Sequence, residues 1–381
     1  MKILFISQYV GITAPGIVCE RILDGLSKKC DVDLITCFYK PSKDLDLIKK
    51  KQVVRYPSIH YRLRKYLFRI FGTDVVSQVL KYKTRNVSND YDVILSIGAS
   101  EQFFGLVIGR FIKKKCGFKW ACYMVDAIPA PLGWSHDNMF YRMVLKMIKK
   151  TLADADMISS LNQQMLDYQT SLFDNRNLKI KDVLFPPAKS ISINYFERKN
   201  ENSFRFLYTG NIYGQRSSKY ILEAFNMLVA NNENAEILFV GSNLNDVLIE
   251  KKKYNKHVQD RILVAPPTND LKPYYESCFA LIDIDADIEH DVFLSSKMSE
   301  YMTCNRPIIC ETGADSPSRH LFCNIPSILQ CGHSPMELKE AMSYVIRHYE
   351  EFDYDDRKRI LHEFSTSNIV QKMIIDFTSL Q

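Results

Sequence analysis

The stretch KILFISQYVGITAPGIVCERILDGLSKKCDVDLITC, residues 2–37, decides the fold of the first half of the chain. It starts with a short apolar run that ends at Ser7, and after a glycine-bearing loop the apolar residues from Val18 onwards follow helical spacing. A second apolar run, Val32 to Cys37, completes the order strand, loop, helix, strand. This order predicts the opening βαβ unit of a doubly wound parallel sheet.

The alternation of strands and helices continues to Phe185, and a polar stretch at 188–203 interrupts it before a new strand begins. Chains longer than about 250–300 residues usually divide into domains, and this one has 381 residues. We therefore predict two tandem doubly wound (Rossmann-like) α/β domains, residues 1–187 and 188–365. A C-terminal helix at 366–381 is expected to return to the first domain. The ligand site is expected where the carboxyl ends of the two sheets face each other.

The composition is that of a globular protein, with 46% hydrophobic and 25% charged residues. It excludes a disordered chain and a small disulfide-stapled scaffold. The net charge of +6 is uneven, because residues 1–187 contain 29 Lys and Arg against 17 Asp and Glu, whereas residues 188–381 contain 21 against 27. The basic half is expected to attract anionic lipid, phosphate or nucleic acid. A solvated surface with uneven charge explains the same counts.

Ten cysteines are present without a C-x-x-C pair or a cysteine–histidine spacing that fits a zinc site. Most lie in apolar runs and are expected to be reduced residues of the core, as in a cytoplasmic protein. The N-terminal sequence lacks the apolar segment of a signal peptide, and no stretch reaches the roughly 18–20 apolar residues of a membrane span. We expect a cytoplasmic protein, either free or peripheral on the inner face of the membrane.

A phosphate-binding loop is predicted between Tyr208 and Lys219, where a strand ends and the chain enters a helix through Gly210 and Gly214. The glycines permit close approach of the backbone, the helix N-terminus offers N–H groups, and Arg216 can donate two hydrogen bonds to a phosphate. Glycine turns before helices are common in α/β sheets, so the loop alone also fits a purely structural turn.

A second candidate cluster is FLSSKMSEYM, residues 293–302. Ser295 or Ser296 is predicted to be the N-cap of a helix with Lys297 in its first turn, and Glu300 lies one turn further on. A cation in the first turn opposes the helix dipole unless an anion is bound there, and Glu300 can accept both hydroxyls of a ribose. A structural cap with a solvated Lys–Glu pair explains the same residues.

The segment SKMSEYMTCNRPII, residues 296–309, resembles the signature of family 4 glycosyltransferases of the GT-B fold, in which a Ser-Lys-x-x-Glu-Tyr helix precedes a Gly-x-Pro strand. Similar features elsewhere are the MKILFIS opening, the Gly16 loop, Tyr208-Thr-Gly210 and Phe239-Val-Gly241. The resemblance spans nearly the whole chain. It implies GT-B architecture and a retaining, metal-independent transfer of a sugar from a nucleoside diphosphate sugar. The second domain would hold this donor, and the first would face the acceptor.

The residues and the resemblance together define the predicted site. The donor-binding residues are expected to be Gly16, Gly210, Asn211, Arg216, Gly241, Ser295, Ser296, Lys297 and Glu300. The catalytic residues are expected to be Asp126, Arg216 and Lys297. Stabilising the charge that develops on the leaving diphosphate is an electrostatic task suited to the two cations, and the donor phosphate can itself take the acceptor's proton. No metal ion and no cofactor are expected.

The chain departs from the family pattern at several positions. Asn211 stands where the family usually has an arginine, and Arg216 stands at the position of its lysine. Val292 stands where the family often has the first of two glutamates. A family histidine after the strand at 119–125 is replaced by Asp126, which either acts in catalysis or acceptor binding, or caps the proline-rich turn that follows.

Three alternating aspartates, Asp283, Asp285 and Asp287, stand at a predicted strand end. Their spacing does not match a calcium-binding loop, which needs a glycine and a terminal glutamate. We interpret them as the point where a strand leads into an active-site loop.

Basic and aromatic residues are mixed in YRLRKYLFRIF, residues 61–71. At helical spacing Leu63, Tyr66 and Ile70 gather on one side, which fits an interfacial helix on anionic lipid. An ordinary amphipathic helix of the core fits the pattern equally. No recognised nucleic-acid module is present, so nucleic acid is not expected as a partner.

The sequence thus predicts a hexosyltransferase that transfers a sugar from a nucleoside diphosphate sugar to a saccharide, free or lipid-linked, in the biosynthesis of a surface polysaccharide. Two alternatives stay open. One is a GT-B sugar-nucleotide epimerase or hydrolase, and the other is a two-domain sugar-binding protein without catalysis.

Overall fold

The computed structural model describes residues 1–84, 86–87, 90–174, 176–188, 190–197, 203–230, 234–268 and 270–381. The chain forms two compact units. Unit 1 contains Met1–Pro187 and Phe364–Gln381, and unit 2 contains Ala188–Glu363. Within the polar stretch expected at the domain boundary, residues 189 and 198–202 lie outside the described residues.

Strands and helices alternate in both units. The strands are β1 (Lys2–Gly11), β2 (Asp31–Lys40), β3 (Lys50–Val53), β4 (Val93–Gly98), β5 (Lys119–Met124), β6 (Met157–Ser160), β7 (Ile180–Val183), β8 (Phe204–Thr209), β9 (Ala235–Val240), β10 (Ile262–Ala265), β11 (Ala280–Ile284), β12 (Ile308–Glu311) and β13 (Ile328–Cys331). The helices are α1 (Ala14–Ser27), α2 (Tyr61–Phe71), α3 (Val75–Leu80), α4 (Phe104–Cys116), α5 (Met139–Leu152), α6 (Gln163–Ser171), α7 (Lys219–Ala230), α8 (Asn245–Lys251), α9 (Lys256–Gln259), α10 (Lys272–Ser277), α11 (Met298–Tyr301), α12 (Pro317–Phe322), α13 (Pro335–His348), α14 (Lys358–Glu363) and α15 (Thr366–Leu380).

The sheet of unit 1 has seven parallel strands in the order β3-β2-β1-β4-β5-β6-β7. Side chains of a strand alternate between its two faces. In β1, Leu4 and Ile6 therefore join the core that contains residues of α2 to α6, whereas Ile3 and Phe5 join the core with α1 and α15. The doubly wound sheet that residues 2–37 predict is confirmed.

The C-terminal helix α15 packs in unit 1 against α1. A side chain at Gly25 of α1 would have its Cβ 2.7 Å from Cγ2 of Val370, so only a glycine allows the two helices to approach this closely. The chain returns to the unit just before α15, where the rings of Phe185 and Phe364 stack at 4.8 Å between their centroids.

The sheet of unit 2 has six parallel strands in the order β10-β9-β8-β11-β12-β13. Its core combines these strands with α7 and α13. The segment before β8 is bound to the turn after α11, because the Asn305 side chain accepts from the Phe196 N–H at 2.8 Å and the Asn194 N–H donates to the Thr303 carbonyl at 2.7 Å.

Two strands at the edges of the sheet of unit 1 have weak sequence patterns. The edge strand β3 was not predicted, because its sequence KKQV has exposed side chains and its pairing with β2 leaves no hydrophobic pattern to detect. The alternation expected to continue to Phe185 ends with β7 at Val183, whose backbone pairs with β6 although its side chains are only partly buried. Within the described ranges, no helix is long and apolar enough to cross a membrane.

Candidate functional site

The predicted donor-binding residues other than Gly16 follow the carboxyl ends of the central strands of unit 2. Parallel strands end at the same edge of a sheet, and ligands of open α/β sheets bind at that edge. Gly210 follows β8, Gly241 follows β9, and Lys297 precedes α11 in the segment after β11. The loops that carry these three residues contact one another at Gly210.

The two glycine loops after β8 and β9 touch through their backbones. Gly210 has a φ of +107°, a conformation that favours glycine, and a Cβ on Gly241 would lie 2.1 Å from the Gly210 carbonyl oxygen. The Asn211 Oδ1 accepts hydrogen bonds at 2.9 Å from the N–H groups of Ser242 and Asn243. Asn211 therefore fastens one loop to the other, in the position where the resembling family has a cation.

Lys297 lies against the first glycine loop with its ammonium group beside a buried carboxylate. Its Nζ is 3.2 Å from Oδ1 of Asp283, and the Ser295 hydroxyl donates to the same oxygen at 2.8 Å. The ammonium also lies 4.9 Å from the centroid of the Tyr208 ring. Burial by itself lowers the pKa of Lys297, but the neighbouring Tyr208 and Asp283 outweigh it and raise that pKa. Lys297 is therefore protonated at neutral pH.

Arg216 is the second cation of the site. Its guanidinium carbon lies 5.6 Å from the centroid of the Tyr213 ring. Burial opposes its charge, while Asp285, then Tyr213 and then Asp283 favour it and raise the pKa of Arg216. The charge of Arg216 acts against that of Lys297, whose side chain lies against Gly210 at the start of the loop that carries Arg216. Two cations at one loop can each donate charge-assisted hydrogen bonds to an anion.

Buried carboxyl groups lie behind these cations at the ends of β11 and β12. Asp283, Asp285 and Glu311 are each at most 1% exposed. Burial, followed by the charge of Asp283, raises the pKa of Asp285 to about 7, although the Ser316 hydroxyl donates to it at 2.6 Å. Burial likewise raises the pKa of Glu311 to about 7. Among the described residues, Oδ2 of Asp283 and Oδ1 of Asp285 have no hydrogen-bond partner.

A histidine completes this buried group. His333 Nδ1 lies 2.9 Å from Oε1 of Glu311, and His333 Nε2 lies 3.2 Å from the carbonyl oxygen of Ala286. A carbonyl oxygen only accepts, so Nε2 carries a proton and donates it. Burial lowers the pKa of His333, but the Glu311 carboxylate outweighs it and raises that pKa.

These carboxyl groups predict a specific pH dependence of stability. An unfolded aspartate titrates near pH 4, whereas Asp285 in the folded protein titrates at about 7. Between these values the folded state holds a proton that the unfolded state releases, so the free energy of unfolding falls as the pH rises from about 4 to 7. The decline is measured as the difference between the free energies of urea unfolding at pH 5 and at pH 8. We expect this difference to be about 1–3 kcal/mol smaller in Asp285→Asn. The exposed Asp260→Asn is the control, and an unchanged decline in Asp285→Asn would contradict the assignment.

The Ser-Lys-x-x-Glu-Tyr segment differs from the predicted helix. The N-cap position of α11 is Lys297 and not a serine, because the Ser295 hydroxyl is used by Asp283 and Ser296 is exposed. The prediction of Ser295 or Ser296 as the N-cap is therefore wrong. Glu300 lies in the first turn of α11 and is partly buried.

Tyr301 of this segment connects two elements of unit 2. The Tyr301 hydroxyl accepts from the Thr209 N–H at 2.7 Å and lies 3.0 Å from its hydroxyl. Tyr301 thus connects α11 with the end of β8, directly before Gly210. The only sequence indication was its place in the quoted segment.

The N-terminus of α7 is occupied by a protein carboxylate. Asp246 accepts from the Ser218 N–H and from the Ser218 hydroxyl, both at 2.6 Å, and the Ser217 hydroxyl accepts from the Lys219 N–H at 3.2 Å. The N–H groups of Ser218 and Lys219 are therefore already bound within the protein, contrary to the expectation that the start of this helix offers free N–H groups. The predicted phosphate binding at this loop would then depend on Arg216 and on the backbone before it.

Gly16 and Asp126 lie in unit 1. A Cβ at Gly16 would be 1.9 Å from the Gly11 carbonyl oxygen, so the glycine lets α1 start close to the end of β1. The partly buried Asp126 accepts from the Ser100 N–H at 2.9 Å, and burial raises its pKa. The proline-rich turn after it is bound by Gln169, which pairs with the N–H and the carbonyl of Ile128 at 2.9 Å.

The three alternating aspartates at the end of β11 lie in two different environments. Asp283 and Asp285 are buried in the site, whereas Asp287 is exposed and accepts from the Tyr220 hydroxyl at 3.0 Å. In the part of the chain that the structure describes, no group of three or more His, Cys, Asp or Glu residues could hold a metal ion. Independence from metal stays a prediction.

Comparison with known proteins supports the fold. No protein-family profile and no curated protein sequence matches the chain. Among solved structures it is similar to Anabaena HepE in complex with UDP and glucose, with a TM-score of 0.69 and 12% identity over 100% of both chains. It is also similar to the lipopolysaccharide outer core galactosyltransferase WaaB, with a TM-score of 0.64 and 13% identity over 100% of both chains.

A third similar structure is a putative UDP-N-acetylglucosamine 2-epimerase from Listeria monocytogenes, with a TM-score of 0.56 and 11% identity over 98% of this chain and 94% of that one. At such identities the comparisons show the fold alone. They confirm the predicted GT-B architecture, with two parallel-sheet α/β units in tandem.

Proposed function

We propose that the protein is a glycosyltransferase that moves a hexose from a nucleoside diphosphate sugar to a saccharide acceptor. The observation that carries this proposal is the placement of two cations at one glycine loop: Arg216 stands in the loop after β8, and the Lys297 side chain lies against Gly210 of that loop. A diphosphate is the ligand that such a pair fits, because each phosphate can receive charge-assisted hydrogen bonds from one cation.

The chemistry that we propose is a retaining transfer without a metal ion. The bond between the anomeric carbon and the diphosphate oxygen breaks, the acceptor oxygen forms its bond on the same face, and the acceptor proton passes to the diphosphate. Arg216 and Lys297 would stabilise the charge on the leaving group. Asp126, with its raised pKa, would orient the acceptor hydroxyl in unit 1.

The similar structures support this choice of substrates. HepE is crystallised with UDP and glucose, and WaaB is a galactosyltransferase of the lipopolysaccharide outer core. We propose a uridine nucleotide as the first donor to test and a surface polysaccharide or its lipid-linked precursor as the acceptor. The ten free thiols, most of them buried, support a cytoplasmic location.

The alternative with a structural basis is a sugar-nucleotide epimerase or hydrolase, because an epimerase shares the fold at a lower TM-score. It would use the same cations. The product distinguishes the three functions: a transferase lengthens a saccharide, an epimerase changes the donor sugar, and a hydrolase releases it. A sugar-binding protein without catalysis would bind free sugar and ignore the nucleotide.

A thermal-shift screen with UDP, GDP, ADP and CMP tests the proposal. A ligand present at 100 times its dissociation constant stabilises the folded protein by about 2.7 kcal/mol. We expect a response to one nucleoside diphosphate, followed by transfer of its sugar when acceptor saccharides are added. No response to any nucleotide, or a response to free sugars alone, would overturn the proposal.

Glu300→Gln tests the predicted ribose contact. A carboxylate accepts hydrogen bonds from both ribose hydroxyls, whereas an amide offers one accepting oxygen, so we expect UDP binding to weaken about tenfold. Pyrophosphate, which lacks a ribose, should bind the variant as it binds the unaltered protein. Titration calorimetry with both ligands measures this difference, and the exposed Glu340→Gln serves as the matched control. Equal losses for UDP and pyrophosphate would contradict the role of Glu300.

A further inference from the structure

Helix α2 presents its apolar side chains to solvent. Leu63, Tyr66, Ile70 and Phe71 are 50%, 59%, 57% and 61% exposed, whereas Phe68 on the opposite side is 1% exposed. The sequence fits either an interfacial helix or a helix of the core. A core helix would bury its apolar row, and α2 buries Phe68 instead.

Contacts within unit 1 fix this orientation of α2. Arg64 Nε lies 3.2 Å from Oδ1 of the buried Asp74, and Arg64 Nη2 donates to the Glu101 carbonyl at 2.8 Å. The Phe68 ring packs edge-on against Phe140 of α5, with 5.3 Å between centroids. The helix cannot turn its apolar row inward without breaking these contacts.

Basic residues are frequent on α2 itself and on α5, the helix that packs against it. Residues 55–84 contain seven Lys and Arg and one acidic residue, Asp74, whose charge is already paired with Arg64. Helices α2 and α5 together contain eight Lys and Arg and no Asp or Glu. Five of these side chains are exposed and form no ion pair within the described ranges: Arg62, Arg69, Lys146, Lys149 and Lys150.

We propose that this surface, the α2–α5 face, docks on a lipid bilayer with anionic headgroups. The face consists of Leu63, Tyr66, Ile70 and Phe71 together with Arg62, Arg69, Lys146, Lys149 and Lys150. An anionic bilayer offers an apolar layer for the first group and phosphates for the second, in one plane. A nucleic acid offers phosphates alone and leaves the apolar row in water.

The α2–α5 face uses no residue of the donor site, so the docking proposal does not depend on the proposed function. If the proposed function holds, the face also brings unit 1 to a lipid-linked acceptor. Arg64 binds the Glu101 carbonyl, and the preceding residue, Ser100, donates its N–H to Asp126 at 2.9 Å. The residue proposed to orient the acceptor is therefore attached to the loop that anchors α2.

Co-sedimentation of the full chain with vesicles tests the docking. The vesicles contain phosphatidylcholine alone or with about 30% phosphatidylglycerol, in about 0.15 M salt. We expect at least about tenfold stronger partitioning onto the anionic vesicles, since each basic side chain near such a surface contributes about fivefold. The absence of binding to anionic vesicles would overturn the proposal.

Two variants separate the apolar and the basic contributions. Leu63→Ser with Ile70→Ser should weaken partitioning about tenfold or more because it removes the inserted side chains. Arg62→Glu with Arg69→Glu should remove the preference for anionic vesicles. The control is Leu248→Ser with Ile249→Ser, an exposed apolar pair of α8 in unit 2, which should partition like the unaltered protein.

Every outcome of these assays decides for or against the bilayer. Loss of binding in the arginine variant but not in the apolar variant would indicate a purely electrostatic patch, as for a nucleic acid, and would overturn the proposal. A self-association that only the apolar variant abolishes, without vesicle binding, would assign the face to a second copy. The thermal response to UDP should be unchanged in both variants, so failure of donor binding and failure of docking are separate results.

Discussion

Arg216→Ala is expected to weaken the binding of a nucleoside diphosphate by about 10- to 100-fold. The guanidinium is one of two neighbouring cations at the end of β8, and a hydrogen bond to a charged group contributes about 1.5–3 kcal/mol. Titration calorimetry with UDP measures the loss. Lys219→Ala removes an exposed cation three residues away and is the matched control, which should bind UDP as before. Equal affinities of the Arg216 variant and the unaltered protein would remove the phosphate assignment.

The test of Lys297 needs a different pair of variants, because the Lys297 ammonium group also compensates the buried charge of Asp283. Removing it leaves Asp283 with the Ser295 hydroxyl as its remaining partner, so Lys297→Met would lose stability as well as affinity. The double variant Lys297→Met with Asp283→Asn removes both charges together. We expect it to recover most of the lost stability while its affinity for UDP stays about 10- to 100-fold lower. Recovery of affinity in the double variant would show that Lys297 acts on Asp283 alone.

Arg357→Met is expected to cost about 3–5 kcal/mol of the free energy of unfolding. Arg357 is fully buried in unit 2 and donates at 2.8 Å to the carbonyl oxygens of Cys304, Arg306 and Ser327. Burial lowers its pKa to about 10, which still leaves it charged at neutral pH. A methionine fills a similar volume but leaves these oxygens buried without their donor.

Urea unfolding at neutral pH measures this loss, and the exposed Arg359→Met, two residues further along the chain, is the control. The control should change stability by less than about 0.5 kcal/mol. A loss below about 1 kcal/mol in Arg357→Met would mean that water replaces the guanidinium as the hydrogen-bond donor. It would contradict the full burial of these carbonyl oxygens. Cys304 and Arg306 lie in the turn after α11, so a reduced affinity for UDP should accompany the loss of stability.

Most of the fold follows from patterns that are local in sequence. Most strands of both units are apolar runs, and the helices between them repeat apolar residues at helical spacing. The edge strand β3 could not be predicted, because its pairing is made by backbone groups alone. The orientation of α2 could not be predicted either, since its apolar row fits a core and a membrane surface equally.

The site was predictable only in part, because its electrostatics depend on residues that are distant in sequence. Gly210, Arg216 and Lys297 stand in recognisable segments. The pairing of Lys297 with Asp283 arises only when the segment after β11 folds back over the end of that strand. The contact of Glu311 with His333 arises only when β12 and β13 lie side by side. The buried positions of Asp283 and Asp285 had an indication in the sequence, since Asp283 stands within the apolar run of β11 and Asp285 directly after it.

The carboxyl groups beside the two cations bear on how a donor would bind if the proposed function holds. Lys297 pairs with Asp283, Arg216 has Asp285 as its electrostatic neighbour, and Glu311 lies 2.9 Å from His333. The two cations would therefore offer an arriving diphosphate no large surplus of positive charge. Binding would be an exchange of anionic partners, in which the phosphates take over hydrogen bonds from carboxylates. Such a site would select its anion by the placement of its hydrogen-bond donors, and not by net charge alone.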